Sequence, residues 1–109
     1  MEIKNGISLS GLQPIMRPVL REAERIWTEH KRPEGVTITC CCEGTHGAVS
    51  WHYYGYALDL RTRYFTADQV NEVYWELRES LPNYDVVSHD THIHVEINNQ
   101  LAVKLGVFY

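Results

Sequence analysis

Four side chains in this sequence are of the types that hold a catalytic metal: His52, Asp59, His92 and His94. Two imidazoles and a carboxylate are a common ligand set for a zinc ion that keeps its fourth position for water. Spacing sorts them among elements. His52 and Asp59 are seven apart with Gly55 between them, which does not fit one helical face, so they read as a loop residue and a strand residue joined by a turn. His92 and His94 are two apart, and a strand points both to one side. Asp59 stands between Leu58 and Leu60, and a carboxylate among apolar neighbours is costly unless it is paired or metal-bound. The competing reading pairs Asp59 with Arg61 or Arg63 and leaves the histidines on a solvated strand.

The elements that must position these groups read as helix, strand, loop, strand, helix and hairpin. From Leu12 to His30, apolar residues recur at Met16, Val19, Leu20, Ala23, Ile26 and Trp27, which is helical periodicity. Ser10 is the expected N-cap, Pro14 falls in the first turn, and Lys31-Arg32-Pro33-Glu34-Gly35 ends the helix. Val36–Cys42 is β-branched and small, hence a strand. Residues Glu43–Trp51 read as a loop and Tyr56–Thr62 as a second strand. Thr66-Ala67-Asp68-Gln69 matches a capping box, and the helix after it carries Val70, Val73, Tyr74, Leu77 and Leu81 on one face until Pro82-Asn83. Tyr84–Ser88 and His92–Ile97 read as strands around a turn at His89-Asp90-Thr91. The tail from Asn98 fits either a short helix or a final strand. The expected fold is α+β: one domain over residues 1–109, with a small antiparallel sheet and flanking helices.

Composition narrows the partners. The chain has 109 residues, 44% of them hydrophobic, which suits one modest core. A net charge of −4 gives no electrostatic grip on nucleic acid. No apolar run approaches the length of a membrane span, so no membrane insertion is expected. Met1-Glu2-Ile3-Lys4-Asn5-Gly6 lacks a signal-peptide profile, so synthesis in the cytoplasm is expected unless another route releases the protein. Cys40-Cys41-Cys42 is an odd, contiguous set and a poor disulfide framework. Neighbours in a strand point to opposite faces, so the three read as small apolar strand residues, with a zinc–thiolate site as the alternative.

The pattern His52-x-x-Gly55-x-Ala57-x-Asp59-Leu60, with Ser50 two before the histidine, resembles the first zinc motif of the D-Ala-D-Ala metallopeptidase and hedgehog group. His92-Ile93-His94 resembles its second motif, and the order of elements is similar too. The likeness is clear from Val36 to Glu96 and looser over the first helix. It implies a hedgehog/DD-peptidase-like fold with one Zn²⁺ held by His52, Asp59 and His94. It also implies hydrolysis of peptide bonds in the stem peptides of bacterial peptidoglycan, by an endopeptidase or a carboxypeptidase. In size the chain resembles small phage lysis enzymes, which leave the cytoplasm through a holin pore. A monomer is expected.

Relatives often carry an acidic proton carrier three positions before the last zinc ligand. That position is Thr91, which cannot act as a base. The substitutes, in order of preference, are His92, His89 and Asp90. His92 shares a strand face with His94 and is placed to move a proton or to stabilise an oxyanion; the turn positions of His89 and Asp90 also fit ordinary turn chemistry. His46 lies six before His52, where hedgehog proteins carry a histidine, and is expected to line the cleft. Carboxypeptidase relatives have a substrate-gripping arginine near Glu43; none is present there, which favours an endopeptidase, although Arg61 is in a position to supply the missing cation. Trp51, Tyr53, Tyr54 and Tyr56 crowd the first motif and divide between core and cleft rim. The rival functions are a zinc-bearing binding module without catalysis, favoured by Thr91, and a structural virion or host-interaction protein with a decayed site.

Overall fold

Two adjacent strands set out the molecule by alternation. In the computed structural model, which describes residues 1–42 and 54–107, β3 is Ala57–Arg61 and β5 is His92–Ile97. Leu58 and Leu60 on β3, with Ile93, Val95 and Ile97 on β5, are completely buried. Asp59 and Arg61, with His92, His94 and Glu96, take the opposite parity and stay partly exposed. The apolar face is covered by α1 (Arg17–Glu29), through Val19, Ala23, Ile26 and Trp27, and by α2 (Ala67–Ser80), through Val73 and Leu77. The polar face is left for chemistry.

The fold is α+β, with five strands in the order β1-β2-β3-β5-β4 and three α-helices. β2 (Thr37–Cys40), β3, β5 and β4 (Tyr84–Ser88) pair antiparallel as expected. The sheet as a whole is nevertheless mixed, which corrects the all-antiparallel expectation. Glu2–Ile3 form β1 and pair in parallel with Thr37–Ile38. Two residues are too few to show a period of two, so nothing in the hydrophobic pattern announces this strand. Its hold is local: Glu2 N–H donates to the Val36 carbonyl at 2.8 Å, Lys4 N–H donates to the Ile38 carbonyl at 3.0 Å, and the N-terminal ammonium meets Glu24 at 2.7 Å.

The first helix also departs from expectation. A 3₁₀ turn spans Pro14–Met16, and the α-helix begins only at Arg17. Pro18 is the reason. It has no N–H for the carbonyl four residues back and its ring crowds that group, so it is tolerated only in a first turn. Ser10 does not cap the helix; its N–H bonds the Ser8 hydroxyl. The second helix starts as expected, with the Thr66 hydroxyl accepting from Gln69 N–H and the Gln69 side chain accepting from Thr66 N–H. The tail is helical: α3 (Asn99–Leu105) is capped by the Asn98 side chain and ends at Gly106, φ +72°. Among the described residues no helix is long and apolar enough to cross a membrane.

Trp27 ties core to site. It is fully buried, packs against Phe65 at a centroid distance of 5.8 Å, and donates from Nε1–H to the Arg61 carbonyl at 3.0 Å. One helix side chain thereby fixes the end of the strand that carries Asp59. Gly55 fixes the other approach. Its φ is +81°, and a Cβ there would lie 2.1 Å from the Gly11 carbonyl oxygen. Only glycine meets both demands, which turns the chain into β3 directly against the backbone of Gly11 and Gln13.

Candidate metal centre

The β3–β5 register brings two of the three expected ligands together. Asp59 and His94 are direct cross-strand partners. The Asp59 Oδ1 atom lies 2.9 Å from His94 Nδ1, and both side chains are mostly buried. The pairing of Asp59 with Arg61 or Arg63 is absent. Arg61 instead stands across the strand from His92. His92 shares the face, with Nε2 3.8 Å from Asp59 Oδ2. Its other nitrogen, Nδ1, is 3.3 Å from the Thr91 hydroxyl.

A further carboxylate completes the arrangement. Glu96 Oε1 lies 2.7 Å from His94 Nε2, so the imidazole is held edge-on between two acids. Both nitrogens can donate at once only when the ring is protonated. When Nδ1 gives its lone pair to a metal, the neutral ring still donates from Nε2 to Glu96, the arrangement in which an outer carboxylate orients a metal-bound histidine. Glu96 was not recognised as a site residue from sequence. The signal was there: it lies two beyond His94, on the same strand parity.

The two described donors suit a zinc ion. Zinc bonds of about 2.0–2.1 Å at tetrahedral angles set neighbouring donor atoms about 3.3 Å apart. The observed 2.9 Å separation between Asp59 and His94 needs only a small opening to reach that value. Among the described residues no group of three or more His, Cys, Asp or Glu side chains is arranged to hold a metal. The third expected ligand, His52, lies outside the described residues, as do His46, Glu43, Trp51 and Tyr53.

The remaining candidates divide by distance from this pair. The His89 ring stacks on that of His92, centroids 4.9 Å apart, and the backbone N–H of His89 donates to the His92 carbonyl at 2.8 Å. Asp90 sits at the exposed tip of the hairpin and makes no ion pair or hydrogen bond with a described residue. Arg61 lines a cavity of about 230 Å³ with Asp59, His92 and Thr91. A larger hollow of about 710 Å³ runs between α2 and β4, past Trp75, Arg78 and Asp85, and among the described site residues it touches only Glu96. Size alone would choose the larger one; the convergence of Asp59 and the histidines gives the smaller one more weight.

The cysteines depart from simple alternation. β2 has an irregularity between Ile38 and Cys40 that sets Cys40 opposite Asp59, and Cys40 lines the smaller cavity. The strand ends there. Cys41 is buried in the core, Cys42 is half-buried, and their sulfurs lie 3.6 Å apart without a disulfide. Beyond the strand end the rule that neighbours face opposite ways no longer applies.

Burial, and then the facing charge of Glu96, pushes the Asp85 carboxyl above its usual range. Asp85 and Glu96 are cross-strand partners on the outer pair of strands. The carboxylates therefore continue along the polar face from Asp59 through Glu96 to Asp85.

Comparison with known proteins finds no matching family model and no matching curated protein.

Proposed function

We propose that the protein is a zinc-dependent peptidase of hedgehog/DD-peptidase-like fold that hydrolyses peptide bonds in bacterial peptidoglycan. The observation that carries this reading is the Asp59–His94 pair, set cross-strand at 2.9 Å with Glu96 on the far imidazole nitrogen. Asp59, His94 and His52 would hold the ion, and Glu96 holds the His94 ring in the orientation that metal binding needs. A zinc ion held there would supply Lewis acidity and acidify a water molecule toward a pKa of about 7.

The chain's own groups supply the rest. His92 stands beside Asp59 on the open side of the sheet, with Nδ1 against the Thr91 hydroxyl. Thr91 cannot carry the proton itself, but its hydroxyl fixes the ring that can. With Nδ1 donating to Thr91, His92 Nε2 accepts a proton; with Nδ1 accepting, Nε2–H donates to a developing oxyanion. His89 stacked on His92 restrains the ring further. The substrate is a peptidoglycan stem peptide reached after release through a phage-type pore.

Incubation with purified sacculi tests the reading. The expected result is release of new amino groups that a chelator abolishes and zinc restores. His92→Ala is expected to keep the metal and lose about a hundredfold or more in kcat. Zinc at unit stoichiometry with no release from sacculi or from synthetic stem peptides would support the second reading, a non-catalytic zinc module, which Thr91 in place of an acid favours.

A further inference from the structure

The cavity beside Asp59 and His92 is basic, in a chain that is acidic overall. Three cations line it, from two parts of the chain: Lys4 just after β1, and Arg61 and Arg63, two residues apart, at and just beyond the end of β3. None of the three side chains makes an ion pair or hydrogen bond with a described residue. Elsewhere Arg25 is engaged with Glu22 and Glu29, Arg32 with Glu2 and the Tyr64 ring, and Arg78 with the Tyr74 hydroxyl, whereas the Arg17 and Arg21 side chains on α1 likewise lack such a partner among the described residues. Asp59 is the one carboxylate in the described lining, so the three cations outnumber it, and an anion bound among them relieves their mutual repulsion. The Thr39 and Thr91 hydroxyls add neutral donors to the same lining.

Size narrows the ligand. About 230 Å³ is below the roughly 300–1,000 Å³ of sites that enclose a drug-sized molecule. The cavity takes one residue-sized group, and it opens directly on Asp59 and His92. We infer that it is a carboxylate subsite, with Lys4, Arg61 and Arg63 recognising an anionic group of the peptide adjoining the bond at the Asp59–His94 centre. This inference rests on the peptidase reading for the ligand being a peptide. A carboxylate can come from the peptide's C-terminus or from an acidic side chain next to the bond; both offer the planar acceptor that guanidinium groups pair with in bidentate fashion.

Binding to the zinc-loaded protein tests it, read by titration calorimetry. Three probes are needed: an N-acetylated dipeptide with a free C-terminus, the same dipeptide as its C-terminal amide, and an amidated dipeptide with glutamate at the second position. One of the two carboxylate-bearing probes is expected to bind about tenfold more tightly than the neutral amide, and which one does so identifies the source. Lys4→Gln, Arg61→Gln and Arg63→Gln should each shrink that preference, leaving amide binding and metal content unchanged. Added salt should shrink it too. Repeating the titration on chelated protein separates this inference from the metal reading. A preference for carboxylate that survives without metal and falls in the three variants supports the subsite, even if the metal reading fails. Equal binding of all three probes to protein shown to hold zinc overturns the subsite and leaves the metal reading standing.

Discussion

The two faces of one sheet obey different rules. On the helix-covered face Leu58, Leu60, Ile93, Val95 and Ile97 lie in a single closed cluster with Trp27 and Leu77. One residue over, on the same strands, Asp59, Arg61, His92, His94 and Glu96 make a polar row. The first face works through volume: its side chains exclude water, and almost any apolar residue of similar shape would serve. The second works through atoms in register, where Asp59 Oδ1 meets His94 Nδ1 at 2.9 Å only because the two residues are direct partners. The core supplies precision to the site, through Trp27 holding the Arg61 carbonyl.

Substitutions on the two faces should therefore fail in different ways. The largest effect is expected from His94→Ala, which should lose the metal and on the order of 10⁴-fold or more in kcat/KM, while far-UV circular dichroism keeps the native spectrum. Retention of turnover would mean that the polar face does not work as described. Trp27→Ala should cost about 3–5 kcal/mol in denaturant unfolding, the scale for emptying a buried aromatic site. A loss under about 1 kcal/mol would show that the core does not depend on it.

Glu96→Ala separates positioning from ligation. The metal should still bind, about 10–100-fold more weakly, as when an outer partner of a metal-bound histidine is removed. Unchanged affinity in a competitive chelator titration would remove Glu96 from the account. Asp85→Asn is expected to give the smallest change. Asp85 has its folded pKa raised by burial and by Glu96. A carboxyl raised in the fold costs nothing below its unfolded pKa, where both states are neutral. It reduces stability as pH rises through its folded pKa. The variant should thus be slightly more stable than the parent at neutral pH, by a few tenths of a kcal/mol for so exposed a group. The gain should vanish in acid, and paired urea unfolding curves check the sign.

The sequence speaks most clearly where a period is long enough to read. His92–Ile97 alternates over six residues, and the strand, its hairpin and the shared face of His92 and His94 follow from that. Thr66 and Gln69 announced a helix start that the structure has. Two-residue β1 offered no period, and with it went Lys4, now at the rim of the basic cavity. Pro18 was overlooked because the apolar periodicity runs straight through it, although its missing donor displaces the helix start to Arg17. Glu96 was missed for a different reason. It belongs to no motif, and its strand parity with His94 shows a shared face but not the 2.7 Å contact between Glu96 Oε1 and His94 Nε2.

Metal content tests the account most directly. Protein purified without added metal, dialysed at neutral pH and analysed by plasma mass spectrometry, should carry one zinc per chain, and Asp59→Ala and His94→Ala should each carry none. A metal-free parent that takes up no zinc in titration, or an Asp59→Ala protein that holds zinc as firmly as the parent, would contradict it.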